Sequence, residues 1–241
     1  MKFSNQAHLA YCTNVHRGNT WQETFDSLEN YVMKVREGVA PDQRFAIGLR
    51  LGADAAKELA DPRELYQFRK WLDQKNAYVF TINGFPYGNF HGSRVKEQVY
   101  RPDWTTNERL DYTLLLFSIL EKLLEPGEEG SVSTLPGSFK EFLPDQEIPD
   151  ALFTNLDACA LEIEKLAGPK NLDLHLGMEP EPLGLFETTP ETVSFFGRLY
   201  HKGTDEEIIR ERIGVNYDCC HLAIEFEDAH VGLDSLIKHG V

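Results

Sequence analysis

Positive charge is scarce in this chain. Its 241 residues hold 24 Lys and Arg against 39 Asp and Glu, a formal net charge of −15. Binding a phosphate backbone needs a concentrated basic surface, and no Lys/Arg cluster of that kind occurs, so nucleic acid is disfavoured as a partner. Long apolar runs are also missing. No stretch approaches the roughly 20 residues that span a bilayer, so membrane insertion is not expected. The start, Met1-Lys2-Phe3-Ser4-Asn5, lacks the apolar core of a signal peptide, and the expected compartment is the cytoplasm. Cysteine is sparse: Cys12, Cys159, Cys219 and Cys220, none at C-x-x-C spacing. Reduced thiols suit the cytoplasm. The vicinal Cys219-Cys220 pair has redox or soft-metal chemistry available to it, but small apolar residues at a strand end are the simpler reading. Finally, no glycine-rich phosphate loop follows the first strand candidate. Cys12-Thr13-Asn14-Val15-His16-Arg17-Gly18 stands there instead, which removes the usual signal of an open doubly wound sheet.

What is present is a regular alternation. Strands are expected at His8–Asn14, Phe45–Leu51, Tyr78–Ile82, Ser131–Thr134, Leu172–Met178 and Ile213–Tyr217. Helices fall between them. Thr20-Trp21-Gln22-Glu23 reads as a capping box opening a helix to Arg36, and Thr105-Thr106-Asn107-Glu108 as another opening a helix to Leu124. Helix from Asp54 restarts at Asp61-Pro62 and runs to Gln74. Further helices are expected over Asp150–Ala167, from Thr189-Pro190, after Thr204-Asp205-Glu206-Glu207, and over Asp228–His239. Six βα units in one domain, 1–241, imply a parallel sheet with helices outside. Polar residues follow nearly every strand rather than one switch point, which favours a (β/α)8 TIM barrel. A closed barrel needs eight strands, so the expectation is a barrel shortened at its C-terminus.

Two strand ends carry the chemistry. Met178-Glu179-Pro180-Glu181-Pro182 follows the fifth strand, and Asn216-Tyr217-Asp218-Cys219-Cys220-His221 follows the sixth. Glu179 and Glu181 share a face by strand alternation. Asp218 with His221 forms a short chelating or orienting pair. Carboxylates and an imidazole converging from neighbouring strand ends suit Mn, Mg, Fe or Zn. The loop Asn83-Gly84-Phe85-Pro86-Tyr87-Gly88-Asn89-Phe90-His91-Gly92 reads as a sugar-facing lid, with Asn83 and His91 as hydroxyl partners. His8, Asn14, His16, Arg50 and Thr134 supply further polar lining, while Trp21 and Trp104 read as packing residues.

This strand-end pattern resembles the xylose isomerase-like TIM-barrel superfamily of sugar phosphate isomerases and epimerases. More narrowly, the blocks His8–His16, Thr81–Gly88, Arg94–Tyr100, Glu179–Pro182 and Tyr217–His221 look like the metabolite traffic protein EboE family. The resemblance implies a divalent metal held by Glu181 and Asp218, with Glu179 as alternative ligand. It implies Glu181 as catalytic acid/base, and Glu187 and His221 as substrate contacts. Asn83, His91 and His16 join them as expected substrate-binding residues. It places the remaining ligands, a histidine on strand seven and a glutamate on strand eight, beyond Val241, so this chain need not retain the metal. The expected partner is a small polyol, sugar-like or cyclitol-like metabolite, and the implied role is precursor traffic in secondary metabolism. The alternatives are a non-catalytic hand-over protein and an endonuclease IV-like nuclease, the latter opposed by the net charge.

Overall fold

Aliphatic runs of six or seven residues bounded by turns are the length of buried parallel strands, and the described residues form six strands. The computed structural model describes residues 1–5, 7–88, 97–143 and 147–241. The strands are β1 (Ala10–Cys12), β2 (Phe45–Arg50), β3 (Ala77–Asn83), β4 (Glu129–Thr134), β5 (Asp173–Met178) and β6 (Ile213–Val215). They make one sheet in the order β1-β2-β3-β4-β5-β6, every pair parallel. The order advances in one direction. A doubly wound sheet reverses its order at a switch point, so that alternative is ruled out. β1 and β6 are shorter than the sequence suggests.

The helices are α1 (Trp21–Ser27), α2 (Met33–Val39), α3 (Ala53–Leu59), α4 (Pro62–Gln74), α5 (Asn107–Leu123), α6 (Asp150–Ala167), α7 (Thr189–Lys202), α8 (Glu206–Arg212), α9 (Cys219–Ile224) and α10 (Ala229–His239). A π turn over Leu28–Val32 joins α1 to α2. None among the described residues is long and apolar enough to cross a membrane. Strand alternation sorts β2 into two faces. Phe45, Ile47 and Leu49 join the buried core with helix residues such as Leu59 and Phe68. Gly48 lies on the other face, where a Cβ would meet Ala10, Cys12 and Thr81 at 3.6 Å. Ser131 donates to Thr81 across that face at 2.9 Å, so it is small and polar where the helix side is large and apolar.

Several local signals act as read. Thr20 and Glu23 form a reciprocal capping box, and Asp61 caps α4 with Pro62 in its first turn. The Thr105–Glu108 box does not form: Thr106 is the N-cap without a side-chain cap bond. The two threonine hydroxyls donate instead to Asp103, Thr105 to its carboxylate and Thr106 to its carbonyl at 2.9 Å. A box the sequence reading passes over, Thr188 with Glu191, opens α7. Asp205, rather than Thr204, caps α8.

Trp21 and Trp104 are core residues, as expected. Trp104 donates its indole N–H to Thr134 at 3.1 Å, which takes the fully buried Thr134 out of any polar lining. His8 is at the wrong pole for a site. It bonds Tyr78 at 2.9 Å and lies 3.2 Å from Glu129, at the N-terminal ends of β3 and β4. Lys2 and His8 pair as an antiparallel bridge there.

Arg109, on α5, fixes the segment after β3. Its guanidinium donates to the carbonyls of Pro102 at 2.7 Å, Gly84 at 2.8 Å and Phe85 at 3.1 Å. Burial lowers its pKa to about 10, so it stays charged at neutral pH. Arg109→Met strands three carbonyls and should lower stability by about 3 kcal/mol or more. Thr20→Ala should remove about 1 kcal/mol. Urea unfolding monitored by circular dichroism measures both.

Candidate functional site

The site begins with two proline-locked residues. Pro180 and Pro182 bias Glu179 and Glu181 toward extended backbone, so the chain leaves β5 without entering a helix. The Glu179 N–H continues the ladder to Thr134 O at 3.0 Å. On the neighbouring strand, Asn216 follows β6 and donates its side-chain amide to Glu179 Oε2 at 2.8 Å. Asp218 caps α9, and its Oδ1 accepts from Cys220 N at 2.7 Å. Three residues along a helix is nearly one turn, so His221 comes back over its own cap.

His221 is where the acids meet. Its Nε2 lies 3.3 Å from Glu179 Oε1, 3.5 Å from Asp218 Oδ2 and 3.7 Å from Glu181 Oε2. The bond to Glu179 raises the imidazole pKa against the effect of burial, and Asp218 and Glu181 add to the rise. Glu181 is pushed up to about 7. Burial is the main cause, the charges of Glu179 and Asp218 add to it, and the Tyr100 hydroxyl and His221 oppose it. Its Oε1 is buried and has no hydrogen-bond partner. One donor atom each from Glu179, Asp218 and His221 lies within 4.8 Å of the others. Two carboxylates and an imidazole at that separation fit a divalent cation of the Mn, Mg, Fe or Zn kind. The tightest trio therefore contains Glu179, the alternative ligand of the sequence reading, and His221, with Glu181 beside it.

A cavity of about 220 Å3 opens at these strand ends. Glu179, Glu181 and His221 line it together with Asn14, Arg50 and Asn83, which come from the ends of β1, β2 and β3. Phe85, Pro86 and Val99 add apolar surface. A larger cleft of about 490 Å3 runs between the loop after β4 and α7. The acids do not converge there, so the smaller cavity is the candidate.

Other expected residues go elsewhere. Asn83 is at the cavity, with Oδ1 accepting from Phe85 N at 3.1 Å. Glu187 does not line it. Six residues past Glu181 the chain has reached the start of α7, where Lys140 forms an ion pair with Glu187 and lies 3.1 Å from Glu191. His16 also lies off the cavity, bonded to Tyr11 at 3.0 Å and stacked on Tyr31 at 5.3 Å between ring centres. His91 lies outside the described residues. Asn216 and Tyr100 were missed. Asn216 stands two residues before Asp218 at the end of the strand expected from the sequence, a spacing that could have marked it. Tyr100 sits at the end of a short turn and donates to Pro182 O at 3.4 Å, and no sequence signal links it to Glu181.

The arrangement is that of a TIM barrel, with six of the eight strands of a closed barrel in the described residues and polar groups at their C-terminal ends. Three solved structures are similar in fold. One is the probable 3-DHS dehydratase AsbF of Bacillus anthracis, involved in petrobactin synthesis, with a TM-score of 0.56 and 13% identity, covering 99% of this chain and 69% of that one. Another is IOLI protein with a binding zinc atom, at 0.52 and 15%, covering 95% and 68%. The third is a xylose isomerase domain protein from Planctomyces limnophilus, at 0.52 and 12%, covering 80% and 60%. At these identities the likeness establishes the fold alone. No family profile matches the sequence, and no curated protein matches it.

The pKa of Glu181 makes a pH prediction. Its unfolded carboxyl ionises near 4.5 and its folded one near 7. Above pH 7 the folded state carries a disfavoured charge, between 7 and 4.5 that cost fades, and below 4.5 it is gone. In metal-free protein Glu181→Gln should therefore be more stable than wild type at pH 8, by on the order of 3 kcal/mol, and equal to it near pH 4. Thermal melts across that range test the sign.

Proposed function

We propose that this chain is a metal-dependent protein of the sugar isomerase or epimerase type, acting on a small polyhydroxylated or cyclitol-like metabolite. The observation that carries the reading is the meeting of Glu179, Asp218 and His221 at one mouth of the sheet. A zinc atom in a structural neighbour of the same fold supports it. Glu179, Asp218 and His221 would hold the cation, with Glu181 at its side as a further ligand or as the base. When bound, a divalent ion polarises a substrate carbonyl and stabilises charge that develops on its oxygen.

The chain's own residues do the rest. Glu181 carries the group suited to move a proton: a pKa of about 7 lets one carboxyl take and return a proton near neutrality. Its Oε1 has no hydrogen-bond partner among the described residues that would hold it back from that role. Asn216 fixes the second oxygen of Glu179, so that carboxylate keeps one orientation. Phe85, Pro86 and Val99 offer apolar surface to the C–H bonds of a ring. A cavity of about 220 Å3 takes a single small ring, being below the roughly 300–1,000 Å3 of drug-sized sites. The finer reading, precursor traffic of the EboE kind without turnover, rests on the ordered sequence blocks and uses the same pocket.

Metal analysis after loading with Mn2+ or Zn2+ tests the proposal. Glu179→Gln and Asp218→Asn should each lose at least tenfold in metal affinity, on the scale of a lost ligand interaction. Unchanged metal content in both variants overturns the reading. Solvent deuterium incorporation into a panel of ketoses and inososes separates the two roles. Incorporation that Glu181→Gln abolishes supports catalysis, and binding without incorporation supports hand-over.

A further inference from the structure

Two arginines are buried among the described residues, and they differ in one respect. Arg109 uses all three of its nitrogens on backbone carbonyls. Arg50, only 5% exposed, uses two: Nη1 donates to Gly18 O and Nη2 to Gly88 O, each at 3.2 Å. Its Nε is buried with no partner. A guanidinium carries five N–H donors, so more than half of this one is unspent among the described residues. No carboxylate pairs with it among those residues either. Buried charges are ordinarily paired, because an uncompensated one loses its hydration without return.

The place of Arg50 says what the missing partner is. Arg50 ends β2 and lines the same cavity as Glu179, Glu181 and His221. Its register partner on β3 is Asn83, which lines the cavity too. Asn83 commits its oxygen to Phe85 N–H, which leaves its amide N–H2 as a donor. One wall of the cavity is thus acidic and able to hold a cation, and the other presents a guanidinium and an amide that can only donate. A guanidinium fork pairs with carboxylate and phosphate alike, but one cation and one amide balance the single charge of a carboxylate more nearly than the roughly double charge of a phosphate.

We infer that Arg50 and Asn83 form a carboxylate subsite, and that the ligand is a small ring or polyol bearing a single carboxylate. The inference rests on the proposed site for its setting, and narrows the ligand from any polyol to an acidic one. A carboxylate so placed is held away from Glu179 and Glu181 while the rest of the ring reaches toward them.

Calorimetric titration of the full chain with matched pairs tests this: D-glucuronate against D-glucose, and quinate against myo-inositol, with Mn2+ and in EDTA. Each acid should bind at least about tenfold more tightly than its neutral partner, the scale of one charge-assisted hydrogen-bond pair. Arg50→Met should erase that ratio. Since Arg50 also clamps two loops, Asn83→Asp serves as the second variant. It keeps the acceptor for Phe85 N–H, adds a repelling charge, and should weaken acid binding far more than neutral binding. Acids binding no better than their partners, or not at all, overturn the inference. So does D-glucose 6-phosphate binding as tightly as the uronate, or Asn83→Asp leaving the ratio unchanged. Failure of the metal reading is seen separately in the metal content, and the ratio in EDTA remains a direct measure of the subsite.

Discussion

The mouth of this sheet depends on one imidazole held among three carboxylates. Glu179, Glu181 and Asp218 all lie within 3.7 Å of His221 Nε2. Left to themselves, three acids brought together under partial burial repel and take up protons. The site answers in two ways. His221 is pushed toward its charged form by the acids, and Glu181 toward its neutral form by burial. A bound cation would relieve the same tension more completely.

The scaffold holds these groups with backbone contacts more than with side-chain packing. Arg109 reaches from α5 to three carbonyls of the segments that wall the cavity. Phe139 pairs with Gly184 as an antiparallel bridge, and the Lys140 N–H donates to Leu183 O at 3.1 Å, so the loops after β4 and β5 brace each other. The Lys140 ion pair with Glu187 belongs to that brace. It explains why a glutamate at the right sequence spacing is spent on structure. The inner face of the sheet at Gly48, Thr81 and Ser131 is small and polar, with Ser131 bonded to Thr81.

Fold and chemistry are separable on such a frame. The three similar structures share a sheet and helix order with this chain at 12–15% identity, and a TIM barrel hosts many reactions on one frame. What this chain places on that frame is local. It carries an acid-rich wall from β5 and β6 and a donor-rich wall from β2 and β3, joined by one small cavity.

Much was legible in the sequence, for a physical reason. Strands and helices are encoded by periodicity and by caps such as Thr20 with Glu23 and Asp61 with Pro62, all interactions within a few residues. The meeting of the β5 and β6 ends was legible too, because parallel neighbours in sequence order must present their C-terminal ends together. Other features required the third dimension. Glu187 was diverted by Lys140, 47 residues away. His8 was carried to the far pole by Tyr78, 70 residues on. The choice of Glu179 for the donor trio follows from Asn216 on another strand. Pattern within a segment therefore determined the elements and their order. Which polar side chain faces the cavity, and which is consumed as a brace, was decided by partners distant in sequence, since only chain folding brings those charges within reach of one another.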